Sequence, residues 1–211
     1  LNIENEIRIG IKEKQFEVFY QPQIDLNSGE VCGVEALLRW NHPTQGLLSP
    51  SHFLSVAEES GLICELGDWV LEETLSEMHD WQEQGIHVTK FSVNFSGKEI
   101  EQKDFVDKIV KALKKYRTPK GSLEIEVTES ILMRDIDSSI DKLRQLHDVG
   151  VSIAIDDFGT GYSSLSLLQK LPLNRLKIDR SFIQDMELGT DRSIIEAIAH
   201  ISKGLKLEMI A

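Results

Sequence analysis

Short apolar runs alternate with longer helical patterns along most of the chain. In the short runs, branched and aromatic residues recur with a period of two, which is typical of strands, and between them apolar residues recur three or four apart, as in helices. The predicted strands are 16–26, 31–40, 88–96, 122–128, 151–157, 174–178 and 206–211, and the predicted helices are 50–60, 66–84, 102–117, 136–149, 162–170 and 190–203. Strands that alternate with helices predict an α/β fold with a mostly parallel sheet.

The two ends of the chain differ from this regular alternation. Strands 16–26 and 31–40 are joined by the turn residues Asn27, Ser28 and Gly29, which predicts an antiparallel hairpin at the start. Residues 1–15 are expected to form a short amphipathic helix or linker from an upstream domain, with the main domain over 16–211. A closed eight-stranded barrel needs about 250 residues. We therefore expect about one strand–helix unit to lie beyond the last residue, although an open doubly wound sheet is the alternative.

The stretch 151–162 is the most informative segment of the sequence. A buried-strand pattern ends there in two adjacent carboxylates, Asp156 and Asp157, followed by a turn bracketed by Gly159 and Gly161. Carboxylates at the C-terminal end of a parallel strand lie where α/β folds place their chemistry. The alternative is that one aspartate caps the next helix.

Other predicted strands carry ionisable or amide side chains on one face near their C-terminal ends. Because side chains alternate along a strand, these groups lie opposite the apolar face that packs on the helices. The residues concerned are Glu35, Asn94, Glu126, Asp156, Asp157 and Lys177. Each one alone is explained by a surface salt bridge, but the set predicts an oxygen-ligand site for Mg²⁺, Mn²⁺ or Ca²⁺.

Composition narrows the class of function. The 211 residues are 41% hydrophobic and 27% charged, with a formal net charge of −12. This excess of acid argues against binding to DNA or RNA polymers, whose phosphates attract basic surfaces. Cys32 and Cys64 form no CxxC pair, which favours free thiols in a reducing cytoplasm. No run approaches the about 20 apolar residues of a membrane span.

Seven motifs in order along the chain resemble one known family. They are YQPQIDL at 20–26, EALLRW at 35–40, LSPSHFLSVAEESGLI at 48–63, VNFS at 93–96, EVTES at 126–130, DDFGTGYSSL at 156–165 and LKIDRSFI at 176–183. They are similar to the EAL-domain cyclic di-GMP phosphodiesterases. The resemblance implies a modified TIM (β/α)8-type barrel with an antiparallel first strand. It also implies hydrolysis of cyclic di-GMP to linear pGpG with two Mg²⁺ or Mn²⁺ ions.

The resemblance also implies a role for each matching residue. Lys177 is expected to orient the attacking water, and Glu129 to anchor the loop 156–165, which contributes to dimerisation. Arg39 is expected to contact the substrate phosphate, and Gln21 a guanine base. The implied metal ligands are Glu35, Asn94, Glu126, Asp156 and Asp157. The implied catalytic residues are Lys177, Glu35 and Asp156.

Family members continue with a glutamate-containing EGVE motif that lies beyond Ala211.

Two other functions remain open at this point. A non-catalytic cyclic di-GMP receptor is the main alternative, although receptors of this kind usually have replaced metal ligands. An enolase-like metalloenzyme explains acidic strand ends but not the specific motifs. The family also implies a homodimer and an attached sensory or regulatory domain, in a full-length parent that is either cytoplasmic or anchored to a membrane.

Overall fold

A computed structural model describes residues 2–132, 135–159, 168–187 and 193–211. The chain divides into two compact units, Leu1–Leu123 and Glu124–Ala211. Each unit combines a sheet with helices. Among the described residues, no helix is both long enough and apolar enough to cross a membrane.

The first unit is built on the predicted antiparallel hairpin. Strand β1 pairs antiparallel with β2, β2 pairs antiparallel with the short β3, and β4 lies parallel to β2. The hairpin prediction is thus confirmed. The elements are α1 (Ile3–Lys12), β1 (Phe16–Ile24), β2 (Val31–His42), β3 (Gly46–Leu48), a 3₁₀ turn (Pro50–His52), α2 (Leu54–Ser60), α3 (Ile63–Glu83), β4 (Phe91–Asn94), α4 (Gly97–Glu101) and α5 (Phe105–Lys115).

An aromatic cluster at one end of the hairpin holds α1 in place. Trp40 is 1% exposed, and its ring stacks on Phe16 with a centroid distance of 5.2 Å. A Cβ atom at Gly10 would lie 2.9 Å from Trp40 Nε1, so only glycine lets α1 approach this closely. Ile7 of α1 is fully buried. The predicted N-terminal helix is therefore part of the core of this unit.

The second unit is a parallel sheet in the order β5–β6–β7–β8. Most residues of β5, β6 and β7 are buried, including those on both faces, as expected for strands in a parallel sheet. The elements are β5 (Leu123–Thr128), α6 (Glu129–Leu132), α7 (Ile136–Asp148), β6 (Ser152–Phe158), β7 (Arg175–Ile178), α8 (Arg180–Glu187), α9 (Ser193–Leu205) and β8 (Glu208–Ile210).

Several predicted boundaries are wrong. The predicted helix 50–60 is a 3₁₀ turn followed by α2, because Phe53 leaves helical geometry at φ −139° and the Ser49 side chain makes no capping bond. The predicted helix 102–117 is shorter and follows α4, which the sequence pattern missed together with β3, α6 and α8. The predicted helix 162–170 lies mostly outside the described residues.

Helix α4 begins with a buried carboxylate that affects stability. Glu99 is 4% exposed and accepts hydrogen bonds from Ser96 N at 2.8 Å and Ser96 Oγ at 2.6 Å. Gly67 of α3 leaves room for it, because a Cβ there would lie 1.7 Å from Glu99 Oε1. Burial outweighs these hydrogen bonds and raises the pKa of Glu99 from 4.5 to about 7.

Replacing Glu99 by Gln should therefore change the pH dependence of stability. Because the pKa of Glu99 is higher in the folded state, its protonated side chain stabilises the folded protein fully below pH 4.5. This contribution is lost as the pH rises to about 7 and the buried carboxyl group ionises. Glutamine keeps the capping geometry but does not ionise. The free energy of unfolding of E99Q relative to the unsubstituted protein should rise by up to about 3 kcal/mol across that range. Urea unfolding at several pH values measures this difference. The exposed control E101Q should show no such trend, and a constant difference for E99Q would contradict the assignment.

Candidate metal centre

Two layers of buried charge lie on one face of the second unit's sheet. Glu124 and Glu126 of β5 are both 0% exposed, and the facing residues of β7 are Arg175 and Lys177. The residues are two apart on each strand, so they share a face. Buried charges of this kind are stable only when they are paired or bind a cation.

The first layer is a closed ion network. Arg175 Nη1 donates to Glu124 Oε1 at 2.8 Å, and Arg175 Nη2 donates to Glu208 Oε2 of β8 at 2.7 Å. The guanidinium is 6% exposed and thus largely removed from water. Burial alone would lower the pKa of Arg175, but Glu124 and Glu208 raise it above its ordinary value. This layer therefore ties β5, β7 and β8 together.

The second layer has the composition of a cation site. The Lys177 ammonium donates to the Glu126 carboxylate and lies 3.2 Å from Asp156 Oδ2 of β6. A carboxylate oxygen of Glu126 and one of Asp156 lie within 4.8 Å of each other. One ammonium beside two carboxylates leaves net negative charge, and carboxylate oxygens are the ligands that hard divalent cations prefer. The residues present thus fit a divalent metal ion.

An irregularity in the pairing of β6 lies at its two adjacent aspartates. Ile155 pairs with Leu176 and Phe158 pairs with Ile178, so two residues of β6, Asp156 and Asp157, lie opposite the one residue of β7 between those pairs. This register shift has the two-against-one count of a β-bulge, and Asp157 within it has a left-handed φ of 53°. Regular alternation would place the two aspartates on opposite faces. Non-glycine residues with such φ values cost energy and concentrate at functional sites.

The electrostatics of Asp157 fit a crowded acidic site. Residue 157 is exposed as a whole, yet its carboxyl group is partly withdrawn from water, and this burial raises its pKa above the ordinary value. The negative charges of Asp156 and Asp179 raise the pKa further. Asp179 itself has a lowered pKa, mainly because the side chain and backbone N–H of Ser181 donate to it. Asp179 was not predicted as a site residue, although it follows Lys177 by two positions at the end of β7.

Glu129 has the burial of an anchoring residue. It is 4% exposed, and among the described residues neither carboxylate oxygen has a hydrogen-bond partner. A buried carboxylate requires donors, which gives this residue a structural reason to contact a neighbouring loop. Residues 160–165 of the loop that it is predicted to anchor lie outside the described residues.

The first unit contributes a carboxylate–amide pair. Asn94 Nδ2 donates to Glu35 Oε1 at 2.8 Å. The parallel register of β2 and β4, in which Glu35 lies beside Ser92, brings Asn94 at the end of β4 within reach. Gln21 of β1 is the direct cross-strand partner of Glu35, so their side chains share a face. Arg39 lies further along β2 and donates to the carbonyl of Leu38 at 2.8 Å.

Comparison with known proteins assigns these residues to one family. The family model described as EAL domain matches residues 4–211. The chain is 41% identical over its whole length to the bifunctional diguanylate cyclase/cyclic di-GMP phosphodiesterase MucR of Pseudomonas aeruginosa, of which it covers 31%. It is 42% identical to the cyclic di-GMP phosphodiesterase NbdA of the same organism, of which it covers 27%. The chain therefore spans less than a third of the length of these relatives.

A solved structure has the same fold. The MucR phosphodiesterase in complex with cyclic di-GMP matches 99% of this chain and 85% of its own, with 41% identity and a TM-score of 0.94. The FimX EAL domain of Pseudomonas aeruginosa matches with a TM-score of 0.89 at 23% identity, which bears on the fold alone. The predicted fold class, a modified TIM barrel of the α/β type, is confirmed by these matches.

The buried ion network makes a prediction about stability. Arg175→Met leaves the buried Glu124 without this guanidinium, and breaking a buried pair in this way costs about 3–5 kcal/mol. The matched control is Arg144→Met, because Nη1 of the exposed Arg144 lies 4.0 Å from Asp141 Oδ1. Exposed ion pairs of this kind contribute at most about 1 kcal/mol to the free energy of unfolding. Urea unfolding measures both losses. Removing Glu124 as well should recover part of the stability. Equal losses in the two arginine variants would contradict the role of the network.

Proposed function

The chain belongs to the EAL domain family, and on that premise we propose that the protein hydrolyses cyclic di-GMP to linear pGpG in a reaction that requires divalent metal ions. One observation carries the proposal: Lys177 contacts both Glu126 and Asp156 within a buried cluster that is otherwise acidic. A receptor that only binds its ligand has no need to keep a lysine and a full set of oxygen ligands. The relatives MucR and NbdA, named for this activity, support the same proposal.

The proposed metal ligands come from four strands. They are Glu35, Asn94, Glu126, Asp156 and Asp157. All offer carboxylate or amide oxygens, which suit Mg²⁺ or Mn²⁺ better than zinc. When bound, the ions supply the charge that activates water and neutralises the phosphate oxygens.

The protein's own groups are proposed to position the reactants. Lys177 carries a positive charge fixed by two carboxylates, so it can orient the attacking water and stabilise negative charge on the phosphate. Asp156 lies next to Lys177 and is proposed to share in this positioning. Arg39 is proposed to bind a substrate phosphate through its planar guanidinium. Gln21, on the same face as Glu35, is proposed to hydrogen-bond a guanine base.

Glu129 is proposed to hold the loop 156–165 in place. Its buried carboxylate needs donors, and this loop is the segment that the family resemblance assigns to it. The homodimer that the resemblance implies, and the attached upstream domain, stay predictions.

The first experiment measures turnover of cyclic di-GMP by the full-length protein. Linear pGpG should form with Mg²⁺ or Mn²⁺ and should not form in excess chelator. Glu35→Ala removes a proposed ligand and should lower kcat by at least about 10²-fold, the size of effect seen when a group that stabilises the transition state is lost. The control Glu30→Ala lies in the exposed hairpin turn and should retain full activity.

The outcomes separate the two classes of function. Full metal-dependent turnover in Glu35→Ala would contradict the ligand assignment. Tight binding of cyclic di-GMP without product, in the unsubstituted full-length protein, would make it a receptor and overturn the proposed hydrolysis.

A second experiment measures metal binding without relying on catalysis. A ligand that binds only the folded state stabilises it by about 2.7 kcal/mol when present at 100 times its Kd. Mn²⁺ should therefore raise the melting temperature of the protein in a concentration-dependent manner. Glu126→Gln should lose this shift, whereas the exposed control Asp148→Asn should keep it. An undiminished Mn²⁺ shift in Glu126→Gln would remove Glu126 from the metal site.

A further inference from the structure

An aromatic side chain lies on the functional face of the β1–β2 hairpin without an assigned role. In this antiparallel pair Gln21 is opposite Glu35, Phe19 is opposite Leu37 and Glu17 is opposite Arg39. Directly opposed residues share a face, and alternate residues along each strand do so too. Phe19 therefore lies on the same face as Glu35 and next to the position of Gln21 on that face.

The opposite face of β1 shows what happens to an aromatic residue that only packs. Tyr20 packs against Trp81 at a centroid distance of 5.4 Å and against Phe91 at 6.1 Å. Phe19, by contrast, is 43% exposed. Leaving much of a phenyl ring in water forgoes part of the hydrophobic stabilisation that its full burial would contribute. The alternation of β1 thus packs the half-buried Tyr20 ring against other aromatic rings and presents the Phe19 ring to solvent.

A guanidinium accompanies the exposed ring. Arg39 Cζ lies 5.8 Å from the centroid of Phe19, within the range of a cation–π interaction. The bond from Arg39 Nη1 to the carbonyl of Leu38 holds this guanidinium near the strand. Phe19 and Arg39 together offer an aromatic surface beside a fixed positive charge. A nucleotide presents the matching pair, a flat base and an anionic phosphate separated by a ribose.

We propose that Phe19 stacks on a guanine base of the bound cyclic dinucleotide and thereby sets the affinity for this substrate. The inference rests on the proposed function, and it adds a substrate-binding residue that acts by stacking, beside the hydrogen bond proposed for Gln21. Stacking on an aromatic side chain is available to any base because every base has a π-face. Phe19 accordingly contributes affinity, and Gln21 contributes selection of guanine.

The test compares Phe19→Ala, Phe19→Leu and Phe19→Trp in steady-state turnover of cyclic di-GMP by the full-length protein. Phe19→Ala should raise KM roughly 5- to 150-fold, the range that loss of base stacking produces. The kcat should stay unchanged, because a contact that is equal in the ground state and the transition state affects KM alone. Phe19→Leu, which keeps apolar area but lacks a π-face, should behave like Phe19→Ala. Phe19→Trp should restore a low KM.

The control is Leu47→Ala on β3, where the residue is 52% exposed and pairs with Asn41 away from Gln21 and Glu35. This variant should leave KM and kcat unchanged, and the melting temperatures of all variants should stay close to that of the unsubstituted protein. Normal turnover with an unchanged KM in Phe19→Ala, or recovery in Phe19→Leu, would overturn the stacking role and leave the proposed function intact. Neither binding nor turnover of cyclic di-GMP by the unsubstituted protein would overturn both.

Discussion

The pairing of Lys177 with Glu126 and Asp156 is the interaction on which the site depends. Glu126 is fully buried and the Asp156 side chain is 20% exposed, so their charges lie largely outside water. Ionised groups in such places are stable only when opposite charge is close. The ammonium supplies part of that charge and leaves a negative excess. Glu126 and Asp156, whose buried negative charges destabilise the fold, are therefore suited to bind a cation.

The two charged layers of the second unit have different roles: the layer of Arg175 stabilises the sheet, and the layer of Lys177 forms the candidate site. The layer of Arg175 links three strands through one guanidinium and is regular in its register. The layer of Lys177 adjoins the register shift of β6 at Asp156 and Asp157, where Asp157 has a positive φ. A regular, well-paired layer beside a strained, acidic one is the arrangement expected where packing supports a reactive site.

The sequence predicted Lys177 and a set of carboxylate and amide residues for the candidate site, but it predicted neither Asp179 nor the contacts between these residues. Alternation along a strand is a local property, so the placing of Glu126 and Lys177 opposite the apolar face of their strands followed from the pattern. The contacts between residues of β7 and β5 depend on the register of the two strands, which lie about 50 residues apart in the sequence. No local sequence pattern specifies that register. The register shift at Asp156 and Asp157 escaped prediction because the pattern of apolar and polar residues along one strand does not show where its pairing with the next strand shifts. Helix α4 was missed because five residues are too few to show a helical period.

The acidic cluster around Lys177 in the second unit is proposed to bind divalent metal ions. The most direct measurement is Mn²⁺ binding to the full-length protein, by equilibrium dialysis combined with electron paramagnetic resonance. We expect two Mn²⁺ ions per chain with a spin-coupled spectrum, because ions in a shared two-metal site lie only about 3.5–4 Å apart. A single uncoupled ion, or none, would contradict the account.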